Sequence, residues 1–261
     1  MQFYEMTGFM GSQEDPASTV APGDLPDPSR AVLLLDFDGT LVDIAERPDG
    51  IVVTDAARAL VARAVERLDG RVAFVSGRSL DDLERYLPDF GGALIGTHGA
   101  ELRIDGRRER AAEYDADMVA HLTRLATDFA KLRPEFLIEP KPSGVVLHFR
   151  QAEHHAALAL RFMESLAMAA DGFKLQPALM AYELKPEGVG KDVALRRLLA
   201  APPFEGTVPV FAGDDLTDEP ALELVQGMGG TGIKIGQAET VARRRLPDPA
   251  ALLRCLGDWL A

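Results

Sequence analysis

A chain of 261 residues, 47% hydrophobic and 26% charged, can form one large domain or two smaller ones around a substantial core. Its formal net charge of −13 excludes a general electrostatic partnership with nucleic acid or an anionic membrane, so an anionic ligand has to be held by a few local cations or a metal. Cys255 is the single cysteine, which excludes an intrachain disulfide and a multi-thiolate zinc site and fits a reducing, cytoplasmic setting.

The first thirty residues carry Arg30 as their only basic residue and no sustained apolar run, the pattern of neither a secretory signal nor a membrane span. With Pro16, Pro22, Pro26 and Pro28, residues 1–29 read as a flexible arm. Ala31 to Leu35 is a continuous apolar run and the first expected strand. Thr54 caps a helix over Asp55 to Leu68, with Leu60, Ala64 and Leu68 on one face and Gly70 as its stop. Val72 to Val75 is a second strand, followed by a helix whose Ser79 and Asp82 form an approximate capping box, and Ala93 to Gly96 is a third strand. Unbroken apolar runs separated by helices predict a parallel sheet covered on both faces, an α/β core.

From about Tyr114 the rhythm changes. A helix carrying Val119, Leu122 and Phe129 precedes strands over Phe136 to Glu139 and Val145 to Arg150. A second helix (Leu158, Phe162, Leu166) and strands over Phe173 to Gln176 and Leu179 to Leu184 follow. This block, 111–183, reads as an α+β cap inserted into a core made of 30–110 and 184–261. After it come a helix from Lys191 to Leu199, a strand from Val208 to Ala212, a helix from Pro220 to Val225 and a strand from Ile233 to Ile235. A last helix opens at Asp248 with Pro249 in its first turn.

Four polar clusters fall at expected strand or helix ends, where open α/β sheets bind ligands. Asp36-Phe37-Asp38-Gly39-Thr40 places two carboxylates on one side of an extended strand end, able to address one bound centre as nucleophile and as general acid. Ser76-Gly77-Arg78 offers a hydroxyl, backbone N–H groups and a guanidinium to phosphate oxygens just before a helix start. Lys191 opens a helix, where its charge opposes the macrodipole unless an anion lies beside it. Gly213-Asp214-Asp215-Leu216-Thr217-Asp218-Glu219 holds four carboxylates within six residues, a density that a hard cation such as Mg²⁺ relieves.

The order DFDGT, SGR, a lysine at a helix start and GDDLTDE resembles the haloacid dehalogenase-like (HAD) phosphatases over roughly Ala31 to Ala261. LIGTHGAELR, EPKPSGVVLHFR, YELKPEGVGK and VFAGDDLTDE resemble, more narrowly, the trehalose-6-phosphate phosphatases of the bacterial kind. That resemblance implies a HAD-like Rossmannoid core with an inserted α+β cap of the C2B type. It implies Asp36 as nucleophile forming an aspartyl-phosphate and Asp38 as general acid, then base. Asp36, the Asp38 backbone carbonyl and Asp214 would bind Mg²⁺, with Asp215 and Asp218 in support. Ser76, Gly77, Arg78 and Lys191 would hold the phosphoryl group, and Glu139, Lys141, Arg150, Glu183 and His98 would meet the sugar. His98 reads equally as a structural residue at the domain hinge.

The implied substrate is a sugar phosphate, with a trehalose-6-phosphate synthase as pathway partner. His148 and Arg150 are expected on one polar face of their strand, opposite Val145, Leu147 and Phe149. Leu179 stands where the resembled sequences carry a lysine. Phosphatases acting on sucrose phosphate or mannosylphosphoglycerate share the core pattern and stay open as alternatives. A metal-dependent glycosyltransferase with an Asp-x-Asp pair leaves Ser76, Lys191 and the second acidic cluster without a role, and a non-catalytic phosphosugar-binding protein would not need both Asp36 and Asp38.

Overall fold

The structure, a computed structural model, describes residues 17–44, 50–110, 114–178 and 180–261. In chain order the first half of the core holds β1 (Ser18–Thr19), β2 (Ala31–Leu35), α1 (Asp55–Arg67), β3 (Val72–Val75), α2 (Leu80–Tyr86), β4 (Ala93–Gly96), β5 (Glu101–Ile104) and β6 (Arg107–Arg110). The inserted block follows with α3 (Ala116–Ala130), β7 (Leu137–Lys141), β8 (Gly144–His148), α4 (Ala156–Ala169), β9 (Phe173–Ala178) and β10 (Ala181–Pro186). The chain then closes the core with α5 (Lys191–Leu199), β11 (Val208–Gly213), α6 (Glu219–Gly227), β12 (Thr231–Ile235), β13 (Arg244–Leu246) and α7 (Pro249–Trp259).

The nine-stranded sheet runs β1-β13-β12-β11-β2-β3-β4-β5-β6 and is parallel from β1 to β4. At its centre β2 is buried on both faces. Leu33 and Leu35 face the layer of α1 and α7, while Val32 and Leu34 face the layer of α5 and α6. An unbroken apolar run follows from that double burial, and full burial of each leucine contributes roughly 1.5–3 kcal/mol. Because β3 and β11 flank β2 on opposite sides, the chain direction across the sheet reverses beside β2. The carboxyl ends of these three strands therefore open onto one crevice.

Residues 17–29 do not form the free arm expected up to residue 29. Ser18 and Thr19 pair parallel with Arg244 and Arg245, Val20 and Leu25 are buried, and the Trp259 indole N–H donates to the Pro26 carbonyl at 2.7 Å. Prolines and a two-residue strand leave no periodicity to detect, although the segment closes the sheet edge. The rest of that expected arm lies outside the described residues. The hairpin β5–β6 leaves no strand pattern in the sequence, because Arg107, Arg108 and Arg110 mask the alternation. Its sign is Asp105-Gly106, a two-residue turn with φ of 49° and 74° at those positions.

The inserted block forms its own four-stranded antiparallel sheet, β7-β8-β10-β9, backed by α3 and α4 around Leu122, Val145, Leu147, Met163 and Leu184. Its last strand continues to Pro186, beyond the expected boundary at 183. Strand β8 stops at His148 rather than Arg150. Phe149 turns inward with ψ of 18°, stacks on Tyr182 at 5.0 Å and becomes part of the apolar core, so Arg150 starts a short 3-10 helix and is exposed. The expected shared face of His148 and Arg150 is corrected accordingly. Leu179 lies outside the described residues. No helix among the described residues is long and apolar enough to cross a membrane.

Candidate active site

Three loops and one helix start meet at the crevice. After β2, Phe37 is buried among the apolar side chains under the sheet while Asp36 lies in the crevice, only 4% exposed. Gly39 has φ of +76°, and a Cβ there would stand 2.1 Å from an Asp214 carboxylate oxygen. The glycine of the first cluster thus reserves space for a carboxylate of the fourth. Gly213 does the same for Asp218, whose Cγ would be 2.4 Å from its Cβ. Thr40 donates its hydroxyl to Asp214 at 3.4 Å.

Lys191 enters from the start of α5 and donates to Asp36 and to Asp218, both at 2.6 Å. Burial opposes its charge, but the two carboxylates hold the ammonium well above its ordinary range. Asp36 is driven the other way. Burial raises it well above the ordinary carboxylate value, Lys191 offsets part of this, and the nearby Asp218 and Asp214 raise it further. Asp214 is pushed up to about 6 by burial and then by Asp218 and Asp215. One oxygen each of Asp36, Asp214 and Asp218 lies within 4.8 Å of the others. A set of hard oxygen donors this crowded fits a small divalent cation, and a single lysine does not neutralise it.

Asp218 belongs to this three-carboxylate group. It is fully buried, bonded to Lys191, and accepts the Asp215 backbone N–H at 3.0 Å. Asp215 itself is exposed and caps the turn by accepting the Leu216 N–H. Lys234, not among the residues expected at the site, is 1% exposed; it donates to Glu219 at 2.9 Å and to the Asp215 carbonyl at 3.4 Å. Its signal was a lone lysine between two isoleucines of β12.

Arg78 was expected on phosphate oxygens, yet its guanidinium grips Asp38 bidentately at 2.6 and 2.7 Å and lies over the Tyr86 ring. Burial disfavours the guanidinium charge, but the bonds and charge of Asp38 outweigh it and raise Arg78. Asp38 has both oxygens on Arg78, and its carboxylate is not part of the three-carboxylate group. Ser76 is buried after β3 with its hydroxyl accepting the Arg78 N–H at 3.2 Å. Gly77 gives room to His98, whose ring carbon would be 2.5 Å from a Cβ.

His98 holds a left-handed backbone at φ 53°, donates its N–H to the Ser76 carbonyl, and places Nε2 3.5 Å from Glu183. Burial lowers its imidazole well below the ordinary range, aided by Lys191, Lys141 and Lys185, so the ring is neutral. It therefore joins the core loop to the inserted sheet. From that sheet Lys141 reaches the Gly77 carbonyl at 3.3 Å. Glu139 accepts from His148 at 2.8 Å, which holds its carboxyl below the usual range, and burial raises Glu183. Glu139 and Glu183 are both cross-strand neighbours of Val146, and therefore face the same side of the sheet. Arg150 makes no hydrogen bond or ion pair with any described residue and is not brought to this group.

A parallel sheet with a carboxylate nucleophile candidate, a buried lysine and a three-carboxylate cluster at its carboxyl ends, capped by an inserted α+β sheet, defines a hydrolase of the haloacid dehalogenase-like class. The trehalose-phosphatase family model matches residues 34–249, so the chain belongs to the trehalose-phosphatase family. The trehalose-6-phosphate phosphatase of Escherichia coli (strain K12) is 34% identical over 212 residues, 81% of this chain and 79% of its own length. A bifunctional trehalose-6-phosphate synthase/phosphatase of Thermoproteus tenax is 30% identical over 227 residues, 84% of this chain but 30% of that protein. The C-terminal domain of the C. albicans trehalose-6-phosphate phosphatase superposes with a TM-score of 0.80, 21% identity and coverage of 94% and 98% of the two chains, a likeness of fold.

Proposed function

We propose that this protein is a Mg²⁺-dependent phosphatase that hydrolyses trehalose 6-phosphate to trehalose and phosphate through an aspartyl-phosphate. The observation that carries the chemistry is the Asp36-Lys191-Asp218 array, a buried carboxylate at a strand end held by an ammonium beside two further acids. The family membership carries the substrate.

In this reading Asp36 attacks phosphorus in line, and the P–O bond to the sugar breaks as Asp38 passes a proton to the leaving oxygen. Asp38 then takes a proton from water, which attacks the aspartyl-phosphate and frees the Asp36 carboxylate and phosphate. Proton donation requires at least one Asp38 oxygen to leave the bidentate grip of Arg78. Arg78 is accordingly read as a positioning residue for Asp38, whereas Ser76 and Lys191 hold the phosphoryl oxygens. Asp36, Asp214 and the Asp38 backbone carbonyl, supported by Asp218, would hold Mg²⁺, which when bound would neutralise charge on the transferring group. Glu139, Lys141, Glu183 and His98 would face the sugar. The setting is cytoplasmic, and the substrate comes from a synthase reaction of the kind named for the Thermoproteus tenax relative.

Phosphate release from a panel of trehalose, sucrose and glucose 6-phosphates and mannosylphosphoglycerate, with Mg²⁺ and with EDTA, tests the reading. Trehalose 6-phosphate is expected to have the highest kcat/KM and EDTA to abolish turnover. Preference for another member of the panel would overturn the substrate, and full activity in EDTA the cofactor.

A further inference from the structure

Lys185 is a largely buried lysine that the reaction described above does not use. It is 3% exposed and makes no hydrogen bond or ion pair with any described residue. It sits two positions beyond Glu183 on β10 and so projects to the same face, directly across the strand pair from Lys174, while Gln176 lies across from Glu183. Burial lowers its pKa to about 8, with Glu183 opposing the shift and Lys174 adding to it. Its side chain lines an adjacent cavity, where the ammonium is free to donate to a ligand.

The place for such a ligand is adjacent. A cavity of about 310 Å³ lies between the inserted sheet and the core, lined by Lys174, Gln176 and Lys185 on one side and His98, Lys191 and Thr217 on the other. That is at the lower end of ligand-pocket sizes, roughly 300–1,000 Å³. Asp36, Asp38 and Ser76 do not line it. Lys191 forms its boundary with the phosphoryl side, where its ammonium bonds Asp36 and Asp218. A ligand in this cavity lies on the side of Lys191 away from Asp36, Asp38 and Ser76. Ammonium and amide groups suit hydroxyl oxygens, which accept and donate in several directions.

Resting on the phosphatase reading above, we propose that Lys185, with Lys174 and Gln176, binds sugar hydroxyls remote from the phosphoryl group and sets selectivity for a disaccharide phosphate. A pocket built to bond those hydroxyls penalises a substrate that leaves its donors unpaired. The test compares wild type with Lys185→Met on trehalose 6-phosphate and on p-nitrophenyl phosphate, with trehalose and inorganic phosphate as product inhibitors. Loss of one charged hydrogen-bond donor is expected to raise KM for trehalose 6-phosphate about tenfold or more. The fall in kcat/KM should be at least about tenfold larger for trehalose 6-phosphate than for p-nitrophenyl phosphate, and inhibition by trehalose should weaken in parallel.

Equal losses on both substrates, weaker inhibition by phosphate in place of trehalose, or no loss at all would each overturn the assignment. Lys185→Gln, which keeps a donor, should recover part of the KM and serves if the methionine variant does not fold. Wild-type protein that hydrolyses p-nitrophenyl phosphate but not trehalose 6-phosphate would sink the substrate reading itself, and this assignment with it.

Discussion

Lys185→Met should make the protein more stable at neutral pH. The pKa falls from an ordinary 10.5 to about 8, and at ~1.4 kcal/mol per pH unit, keeping this lysine charged at pH 7 costs about 3 kcal/mol. The attraction of Glu183 and Asp192 is already included in that figure. Between pH 8 and 10.5 the unfolded chain keeps a proton that the folded chain has released. Stability therefore rises with pH through this window, and the penalty is complete below about 8.

Methionine retains most of the apolar stem and removes the charge. In a chain of this size 1 kcal/mol moves Tm by ~2–4 °C, so a gain of about 6–12 °C at pH 7 is the upper expectation. Differential scanning calorimetry of both proteins from pH 7 to pH 10 measures it. The gain should shrink as the wild-type lysine loses its proton. A loss of stability at pH 7, or a gain equal at pH 7 and pH 10, would show that the buried ammonium carries no such penalty.

Asp36→Asn should lower kcat by at least about 10³ while Tm is maintained, since the amide removes a buried charge that burial already disfavours; a fully active variant rules out the nucleophile. Gly39→Ala puts a methyl 2.1 Å from an Asp214 oxygen at φ +76°, with ~1–2 kcal/mol of backbone strain. The Mg²⁺ concentration for half-maximal activity should rise about tenfold, and an unchanged Mg²⁺ titration would separate Asp214 from the metal. Arg78→Lys leaves a charge but loses the two-pronged hold on Asp38. A fall in kcat of about tenfold with little change in KM is expected, whereas a loss confined to KM would return Arg78 to phosphate binding.

Legibility in the sequence followed burial. Strands β2, β3 and β4 are buried on both faces, so each appears as an apolar run ending at a polar cluster, and helix caps such as Thr54 and Ser79 are local bonds over three residues. The same locality exposed Asp36, Ser76, Lys191 and Asp214 as candidates, because each follows a strand or opens a helix. Elements without a buried face of their own stayed hidden. The two-residue β1 and the arginine-rich β6 owe their place to the strand beside them, and Arg150 lost its strand to the inward turn of Phe149.

The sequence by itself therefore determined the alternating core, its inserted block and the acids and lysine of the crevice, since periodicity and capping act within a few residues. Only the tertiary structure decided which charges answer one another. The pairing of Arg78 with Asp38 spans 40 positions, and that of Lys191 with Asp36 spans 155. The placement of Lys185 likewise depends on the inserted sheet meeting the start of α5 and the turn at Leu216–Asp218 across a cavity. Coulombic and desolvation energies are set by distance and burial in space, and neither quantity is written along the chain.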